Sequence, residues 1–336
     1  MRLALLSFWH VHAADYARES LLHPDVDLAL IWDEHPQRGR VEAGARDIRF
    51  ESDLDVVLSD PSIDGVVVTS ATTVHASLIL AAARAGKHIF AEKVIATTFR
   101  ESLEIVNAVE SARVTMMIAL TRTTDPSAIR ALEIVHTGEI GTPTSARVRL
   151  AHDGALPTPD RADGWLPNRF FRVDESGGGS LIDLGAHPLY LTRLFLGMPA
   201  RVTTAFGDFT GRGADDNAAV LFHYANGAIG VAETGFVNRG RGFLFEISGT
   251  EGSVAYDDTA RELWLHRRRG DSIQIDLPQQ GPTPFEQWVS AVQSGASTQS
   301  NLNLALDLSA LAEAATQSAA KGRTIHLDDI VRSAKS

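Results

Sequence analysis

The first third of the chain alternates short apolar runs with stretches of helical periodicity. The apolar runs cover residues 3–9, 27–33, 65–69, 87–91 and 115–119. Helical patterns occupy residues 13–22, 74–85 and 99–111 between them. Strands that are apolar throughout, and that alternate with helices, are typical of a parallel sheet covered on both faces. The pattern therefore predicts a doubly wound α/β domain over residues 1–121.

After residue 121 the pattern changes to longer strands in which apolar and polar positions alternate. A helix is predicted at 126–136 and another in the tail at 302–320. The alternating runs lie at 144–152, 201–209, 218–224, 228–236, 243–248 and 263–266. Asn226-Gly227, between two of these runs, indicates a type I′ hairpin. Residues 122–336 are thus predicted to form a second α/β domain with a mostly antiparallel sheet.

Composition narrows the classes of function. A length of 336 residues favours two domains. The formal net charge of -11 argues against a nucleic-acid partner and against an anionic membrane surface. The absence of cysteine excludes disulfides, thiolate nucleophiles and cysteine-ligated zinc. No apolar run is long enough to span a bilayer, and a cytoplasmic location is the expectation.

Ligands of open α/β sheets bind beyond the carboxyl ends of the strands. Three segments of the first domain are predicted to lie there, and their side chains are the candidates for cofactor binding. These candidates are Ser7, Phe8, Trp9, His10 and His12 after the first strand; Ser70, Ala71, Thr72 and His75 after the 65–69 strand; and Glu92 and Lys93 after the 87–91 strand. Asp33 ends the second strand, where an acidic side chain binds ribose hydroxyls. Arg38 nearby leaves a 2′-phosphate as the alternative.

The second domain carries the segment GGGSLIDLGAH at residues 177–187. Its three glycines allow positive φ or a close approach of the backbone to a ligand. If the segment is helical after the glycines, Asp183 and His187 lie at i and i+4 on one face. Together with Lys93 they form a set suited to proton transfer in a cleft between the domains.

Glu92-Lys93 and GGGSLIDLGAH together resemble the Gfo/Idh/MocA family of nicotinamide-dependent dehydrogenases. The segments 69–75, 85–88, 138–141, 249–252 and 313–325 are also similar to that family, so that the resemblance covers essentially the whole chain. It implies a Rossmann domain, a second domain whose large open sheet mediates a homodimer or homotetramer, and NAD or NADP as cofactor, with NAD favoured. It implies that Lys93, Asp183 and His187 are catalytic, and that the substrate is a sugar, sugar derivative or inositol.

Two features depart from the family pattern. Ser7, Trp9 and His12 stand at the three glycine positions of the dinucleotide-binding turn. Val94 stands where the family has proline, often after a cis bond. A cis bond before valine costs roughly 3 kcal/mol, which leaves a trans bond and a shifted Lys93 as the alternative.

Two other classes of function remain alternatives. One is a metal-dependent hydrolase that uses the pair His10 and His12, since imidazoles at this spacing chelate metals. The other is a ligand sensor that has lost cofactor binding. We predict instead that residues 5–13 form a strand, turn and helix that bind a dinucleotide and no metal, with Trp9 pointing away from the cofactor. At least one of His10 and His12 is expected to face the cleft.

Overall fold

Six parallel strands build the first sheet of the protein. They are β1 (Arg2–Leu6), β2 (Asp27–Trp32), β3 (Arg49–Glu51), β4 (Gly65–Val68), β5 (His88–Ala91) and β6 (Met116–Ile118). The strand order is β3-β2-β1-β4-β5-β6, and every neighbouring pair is parallel. The order reverses direction between β1 and β4, and this switch point is where such sheets bind their ligands. The computed structural model from which these elements are taken describes residues 1–270 and 272–335.

Helices connect the parallel strands, as the sequence pattern requires. They are α1 (Ala13–Leu22), α2 (Pro36–Gly44), α3 (Leu54–Ser59), α4 (His75–Arg84) and α5 (Phe99–Ala112). Thr98 begins α5 with a capping box, in which its hydroxyl accepts from the Glu101 backbone and the Glu101 carboxylate accepts from Thr98. Asp53 caps α3 by accepting from the backbone N–H of Asp55. The apolar strands are buried beneath these helices; β4 is buried along its whole length.

The second sheet has nine strands. They are β7 (Pro143–Ala151), β8 (Arg201–Gly207), β9 (Asn217–His223), β10 (Ile229–Gly235), β11 (Phe243–Gly249), β12 (Gly252–Asp257), β13 (Glu262–Arg267), β14 (Ser272–Ile275) and β15 (Ile325–His326). Their order is β14-β13-β12-β11-β7-β10-β9-β8-β15, and only the β7–β10 pair is parallel. The predicted turn at Asn226-Gly227 joins the antiparallel pair β9 and β10, and Gly227 has φ +88°.

The helices of the second half are α6 (Pro126–His136), α7 (Val173–Ser176), α8 (Ala186–Leu196), α9 (Pro284–Ser294), α10 (Gln299–Lys321) and α11 (Leu327–Lys335). Helix α8 packs on β7 and β10, the parallel pair at the centre of the large sheet. Helix α9 packs on β5 and β6 of the first sheet. There the ring of Phe285 lies 5.5 Å from that of Phe90, and the fully buried Trp288 donates its indole N–H to the carbonyl of Thr115.

The chain forms two compact units whose borders do not follow the chain in order. The first comprises Met1–Ala119 and Pro282–Leu306, and the second comprises Leu120–Gly281 and Asp307–Ser336. The change of pattern at residue 121 predicts that residues 282–306 lie in the second domain, but the apolar face of α9 belongs to the core of the first unit. Within the part of the chain that the structure describes, no helix has the length and apolar character needed to cross a membrane.

The predicted fold class is confirmed: a doubly wound parallel domain is joined to an α/β unit with a large, mostly antiparallel sheet. The pattern missed α2, α3, α7, α9, α11 and the strands β3, β12, β14 and β15, and it indicated α8 only as a condition on Asp183 and His187. Most of these elements are short or polar, and their apolar positions are too few to show a period.

Candidate functional site

The carboxyl edge of the first sheet brings together the loops predicted to bind a cofactor. The backbone N–H of His10 donates to the carbonyl of Thr69 at 2.9 Å, and the Thr69 hydroxyl donates to the carbonyl of Ser7 at 2.6 Å. The N–H of Glu92 donates to the carbonyl of Val68 at 3.0 Å. The ends of β1, β4 and β5 are therefore adjacent at the switch point, and the strand order fits a dinucleotide-binding domain.

The turn after β1 replaces glycine with side chains and keeps the backbone shape that glycine favours. Ser7 has φ +82°, in the left-handed region that costs a residue other than glycine about 1–2 kcal/mol. Its hydroxyl accepts from the N–H of Trp9 at 3.0 Å, and its own N–H donates to the carbonyl of Trp32. Phe8 and Trp9 are buried. The turn is thus held by hydrogen bonds within the protein.

The two histidines of the turn have different surroundings. His10 is buried, whereas the His12 side chain is 48% exposed. The backbone N–H of His12 donates to Nδ1 of His10 at 3.2 Å, and the two ring centres are 5.0 Å apart. Nδ1 of His12 lies 3.3 Å from the Asp15 carboxylate.

Glu92 and Lys93 form a buried charged pair just beyond β5. Nζ of Lys93 lies 4.0 Å from Oε2 of Glu92, and the two side chains are 3% and 1% exposed. The Tyr16 hydroxyl, on α1, donates to Oε1 of Glu92 at 2.6 Å. Burial alone would raise the pKa of Glu92, but His10, Lys93, His12 and the bond from Tyr16 lower that pKa to about 2. Glu92 is therefore a carboxylate at neutral pH.

Of the two alternatives for the peptide bond between Lys93 and Val94, cis and trans, the structure has the cis bond. The carbonyl of Val94 lies 2.8 Å from Nδ1 of His75, whose Nε2 lies 3.1 Å from the carbonyl of Ser70. Burial lowers the pKa of His75, which is 1% exposed. His75 thus ties the 70–72 loop to the segment after Lys93, and its ring nitrogens are engaged by the protein itself. The loop residues Ser70, Ala71 and Thr72 are also buried.

The Asp33 carboxylate is saturated by hydrogen bonds. It accepts from the backbone N–H groups of Phe8 at 2.9 Å and His35 at 2.7 Å. It also accepts from Nε and Nη2 of Arg38, at 2.8 and 2.7 Å. Asp33 is 1% exposed, so a ribose hydroxyl could reach its oxygens only by displacing Arg38. Arg38 and Glu34, which are 2.8 Å apart and partly exposed, are the charged groups at the end of β2 that remain accessible.

In the second unit, the glycine-rich segment wraps around a buried carboxylate. Asp215 accepts from the N–H of Gly179 at 3.0 Å, from the Ser180 hydroxyl at 2.8 Å and from the N–H of Leu181 at 2.8 Å. A Cβ on Gly179 would lie 2.0 Å from the Asp215 carbonyl oxygen. The close approach that glycine permits here is to the protein's own backbone, and Gly177 supplies the positive φ of +74°.

The condition for placing Asp183 and His187 at i and i+4 of one helix is not met. Residues 181–185 form turns, and α8 begins at Ala186. His187 lies in the first turn of α8, and its Nδ1 lies 2.9 Å from the Tyr190 hydroxyl. That hydroxyl accepts from the backbone N–H of Arg122 at 2.8 Å. A fully buried tyrosine therefore fixes the orientation of the imidazole.

Within each unit the structure brings some of the predicted site residues together. The first unit places three segments next to one another: the turn after β1, the 69–72 loop and Glu92-Lys93. The side chains of Asp33 and His75 are engaged in hydrogen bonds with other groups of the protein. Sequence reasoning missed Tyr16, Tyr190 and Asp215. Tyr190 follows His187 by three residues on a helix, which is a signal that could have been used. Nothing in the sequence links Tyr16 to Glu92 or Asp215 to Gly179.

Comparison with known proteins agrees with this geometry. Residues 10–120 match the model of an oxidoreductase family with an NAD-binding Rossmann fold, and residues 129–255 match the GFO/IDH/MocA C-terminal domain. An uncharacterized oxidoreductase of Bacillus subtilis (strain 168) is 28% identical over 91% of this chain and 90% of its own. Inositol 2-dehydrogenase of Rhizobium meliloti (strain 1021) is 25% identical over 90% of this chain and 92% of its own.

A crystal structure of GenD2 from gentamicin A biosynthesis, in complex with NAD, superposes with a TM-score of 0.81 at 25% identity, over 97% of this chain and 96% of that one. The two curated relatives are an oxidoreductase and a dehydrogenase, and the comparisons give no support to a hydrolase or a ligand sensor. The chain belongs to the Gfo/Idh/MocA family of NAD(P)-dependent oxidoreductases.

Proposed function

We propose that the protein is a dehydrogenase that acts on a CH–OH group of a small polyhydroxylated compound, a sugar, sugar derivative or inositol. The observation that carries the proposal is the buried pair Glu92 and Lys93 at the ligand-binding edge of the first sheet. Burying a lysine costs free energy unless its charge is paired, so a lysine is seldom buried without a structural or functional role. The bound nicotinamide would accept or return the hydride of the reacting carbon.

Lys93 is proposed to bind the reacting oxygen. Its ammonium would stabilise the negative charge that the oxygen carries once its proton has left and before the hydride has left the carbon that bears it. The carboxylate of Glu92 lies 4.0 Å from Nζ and offsets part of the cost of burying the ammonium group. Tyr16 holds that carboxylate in place through its 2.6 Å hydrogen bond.

His187 is proposed to exchange the proton of the substrate hydroxyl, because imidazole titrates near neutral pH. Its ring is oriented by the Tyr190 hydroxyl, which lies 2.9 Å from Nδ1. Asp183, in the turn before α8, is proposed to orient the substrate or the imidazole. The roles of Lys93, Asp183 and His187 rest on the family resemblance together with these local contacts.

The charges at the end of β2 favour NAD over NADP. Asp33 and Glu34 together carry two negative charges against the single positive charge of Arg38, which bonds to both. This excess of negative charge repels a 2′-phosphate. Since the Asp33 carboxylate is saturated, Arg38 and Glu34 are proposed to discriminate between the two cofactors. Glu34→Gln is then expected to bring the dissociation constants of NADH and NADPH closer together.

The assembly and the location of the enzyme stay predictions from the sequence. The expected assembly is a homodimer or homotetramer formed through the large sheet, and the expected location is the cytoplasm. The small polyhydroxylated substrate is supported by the relatives, among them an inositol 2-dehydrogenase. No nucleic-acid or membrane partner is proposed.

The experiment is a screen of sugars, sugar acids and cyclitols in the presence of NAD or NADP, followed by absorbance of the reduced cofactor. At least one polyol is expected to give turnover. Lys93→Met should then lower kcat by about 100-fold or more, as expected for the loss of a positioned charge at the reacting oxygen. The control is Lys321→Met, because Lys321 is exposed on α10.

Turnover within a factor of about three of the wild type in a folded Lys93→Met protein would remove Lys93 from the mechanism. A complete lack of cofactor-dependent turnover across the panel, together with no binding of NADH or NADPH, would overturn the proposed function itself.

A further inference from the structure

Three donor groups of the first unit converge on one point at the carboxyl edge of the sheet. One ligand atom each from His10, His12 and Glu92 lies within 4.8 Å of the other two. Two of the donors follow β1 and the third follows β5, and these two strands lie on either side of β4 in the sheet. A single ion bonded to all three at about 2.0–2.2 Å needs only small side-chain adjustments from this arrangement.

The chemistry of the donors is that of a zinc site. Two imidazoles and one carboxylate form a set that binds zinc with an open fourth position. The half-exposed side chain of His12 gives an ion a route from solvent.

Neighbouring groups orient the donors as outer-shell partners do in metal sites. The Asp15 carboxylate lies 3.3 Å from Nδ1 of His12, which directs the Nε2 lone pair of that ring away from Asp15. The Tyr16 hydroxyl donates to Oε1 of Glu92 at 2.6 Å. Both partners stand on α1, the helix that begins directly after His12.

We propose that His10, His12 and Glu92 form a binding site for a divalent cation of the zinc class. This inference goes beyond the proposed dehydrogenase activity and does not depend on it. It also departs from the sequence prediction that the two histidines hold no metal, because the sequence did not place Glu92 beside them. Lys93 opposes the ion: its ammonium lies 4.0 Å from Oε2 of Glu92 and competes with a cation for that carboxylate.

The test is a titration of tag-free protein with Co²⁺, whose visible absorption reports the number and kind of its ligands. Calorimetry with Zn²⁺ gives the stoichiometry. We expect one ion per chain and the intense absorption of four- or five-coordinate cobalt. His12→Ala and Glu92→Gln should each weaken binding by more than about 10-fold, the lower range of the loss seen for outer-shell partners. His326→Ala, which removes an exposed histidine of the second unit, is the matched control and should change nothing.

Lys93→Met gives a second, opposite readout. Removing the competing ammonium should tighten Co²⁺ binding by about 10-fold or more. The proposal is overturned if His12→Ala binds Co²⁺ as the His326→Ala control does, if Glu92→Gln leaves the spectrum unchanged, or if the spectrum is that of the hexa-aqua ion. These outcomes concern the metal alone, and they leave the cofactor and polyol experiments to decide the dehydrogenase assignment separately.

Discussion

Replacing Asp33 with alanine tests the idea that this carboxylate holds the cofactor-binding turn together and does not itself bind ribose. The substitution removes four hydrogen bonds, two from backbone N–H groups and two from Arg38. Breaking a buried ion pair costs about 3–5 kcal/mol, and an orphaned buried N–H costs about 1–3 kcal/mol. Arg38 is 22% exposed, so water replaces part of the hydrogen bonding that its guanidinium loses. We therefore expect Asp33→Ala to lower the free energy of unfolding by about 3–4 kcal/mol.

The assay is unfolding in urea followed by tryptophan fluorescence, since Trp9 and Trp32 lie near the substitution. Asp27→Ala is the matched control, because Asp27 stands at the opposite end of the same strand. Its pair with Arg2 is 3.5 Å long, with side chains 62% and 51% exposed. That variant should change stability by less than about 0.5 kcal/mol. If Asp33→Ala were as stable as Asp27→Ala, or if it lost NADH affinity with no loss of stability, the role assigned to Asp33 would be wrong.

Three further changes have defined outcomes. Tyr190→Phe removes the hydroxyl that orients His187, and it should lower kcat by about 10-fold and shift the pH–kcat profile with little change in KM; a purely structural tyrosine would leave the profile in place. Ser7→Ala keeps the φ of +82° but loses the hydroxyl, so it should be about 1 kcal/mol less stable than Ser7→Gly in urea unfolding. Burial raises the pKa of Asp215 to about 6 despite three hydrogen bonds, above about 3.9 in the unfolded chain. Its contribution to stability is therefore present below about pH 4 and lost as the pH rises through about 6, and Asp215→Asn should remove this slope from a series of unfolding curves.

The strands and helices could be predicted where apolar residues recur at a regular spacing or fill a strand. The buried strands β1, β4 and β5 are almost uniformly apolar, and α1 has the bounds that its period indicated. Helix α2 was missed because its sequence, PQRGRVEAG, buries only Gly39 and Ala43. Helix α9 was also missed, although its Phe285 and Trp288 are buried. Its packing on the first sheet could not be predicted, because no sequence pattern tells which sheet a distant helix covers.

The site could be predicted as a set of loops but not as a network of contacts. The carboxyl ends of parallel strands meet by geometry, and this placed the first turn near Thr69 and Lys93. Which side chains then face the ligand depends on partners far apart in sequence, such as Tyr16 for Glu92 and Asp215 for Gly179. The position of Asp33 at the end of a strand predicts that it binds ribose, but that position cannot show that Arg38 also donates to its carboxylate.

The central claim is that the turn after β1 binds a nicotinamide dinucleotide even though Ser7, Trp9 and His12 replace its glycines. The most direct measurement is calorimetric titration of the metal-free protein with NADH. The account predicts one saturable site per chain, with a dissociation constant in the range of about 1 μM to 1 mM, and weaker binding of NADPH. A titration of folded protein that shows no saturable heat with either cofactor would contradict it.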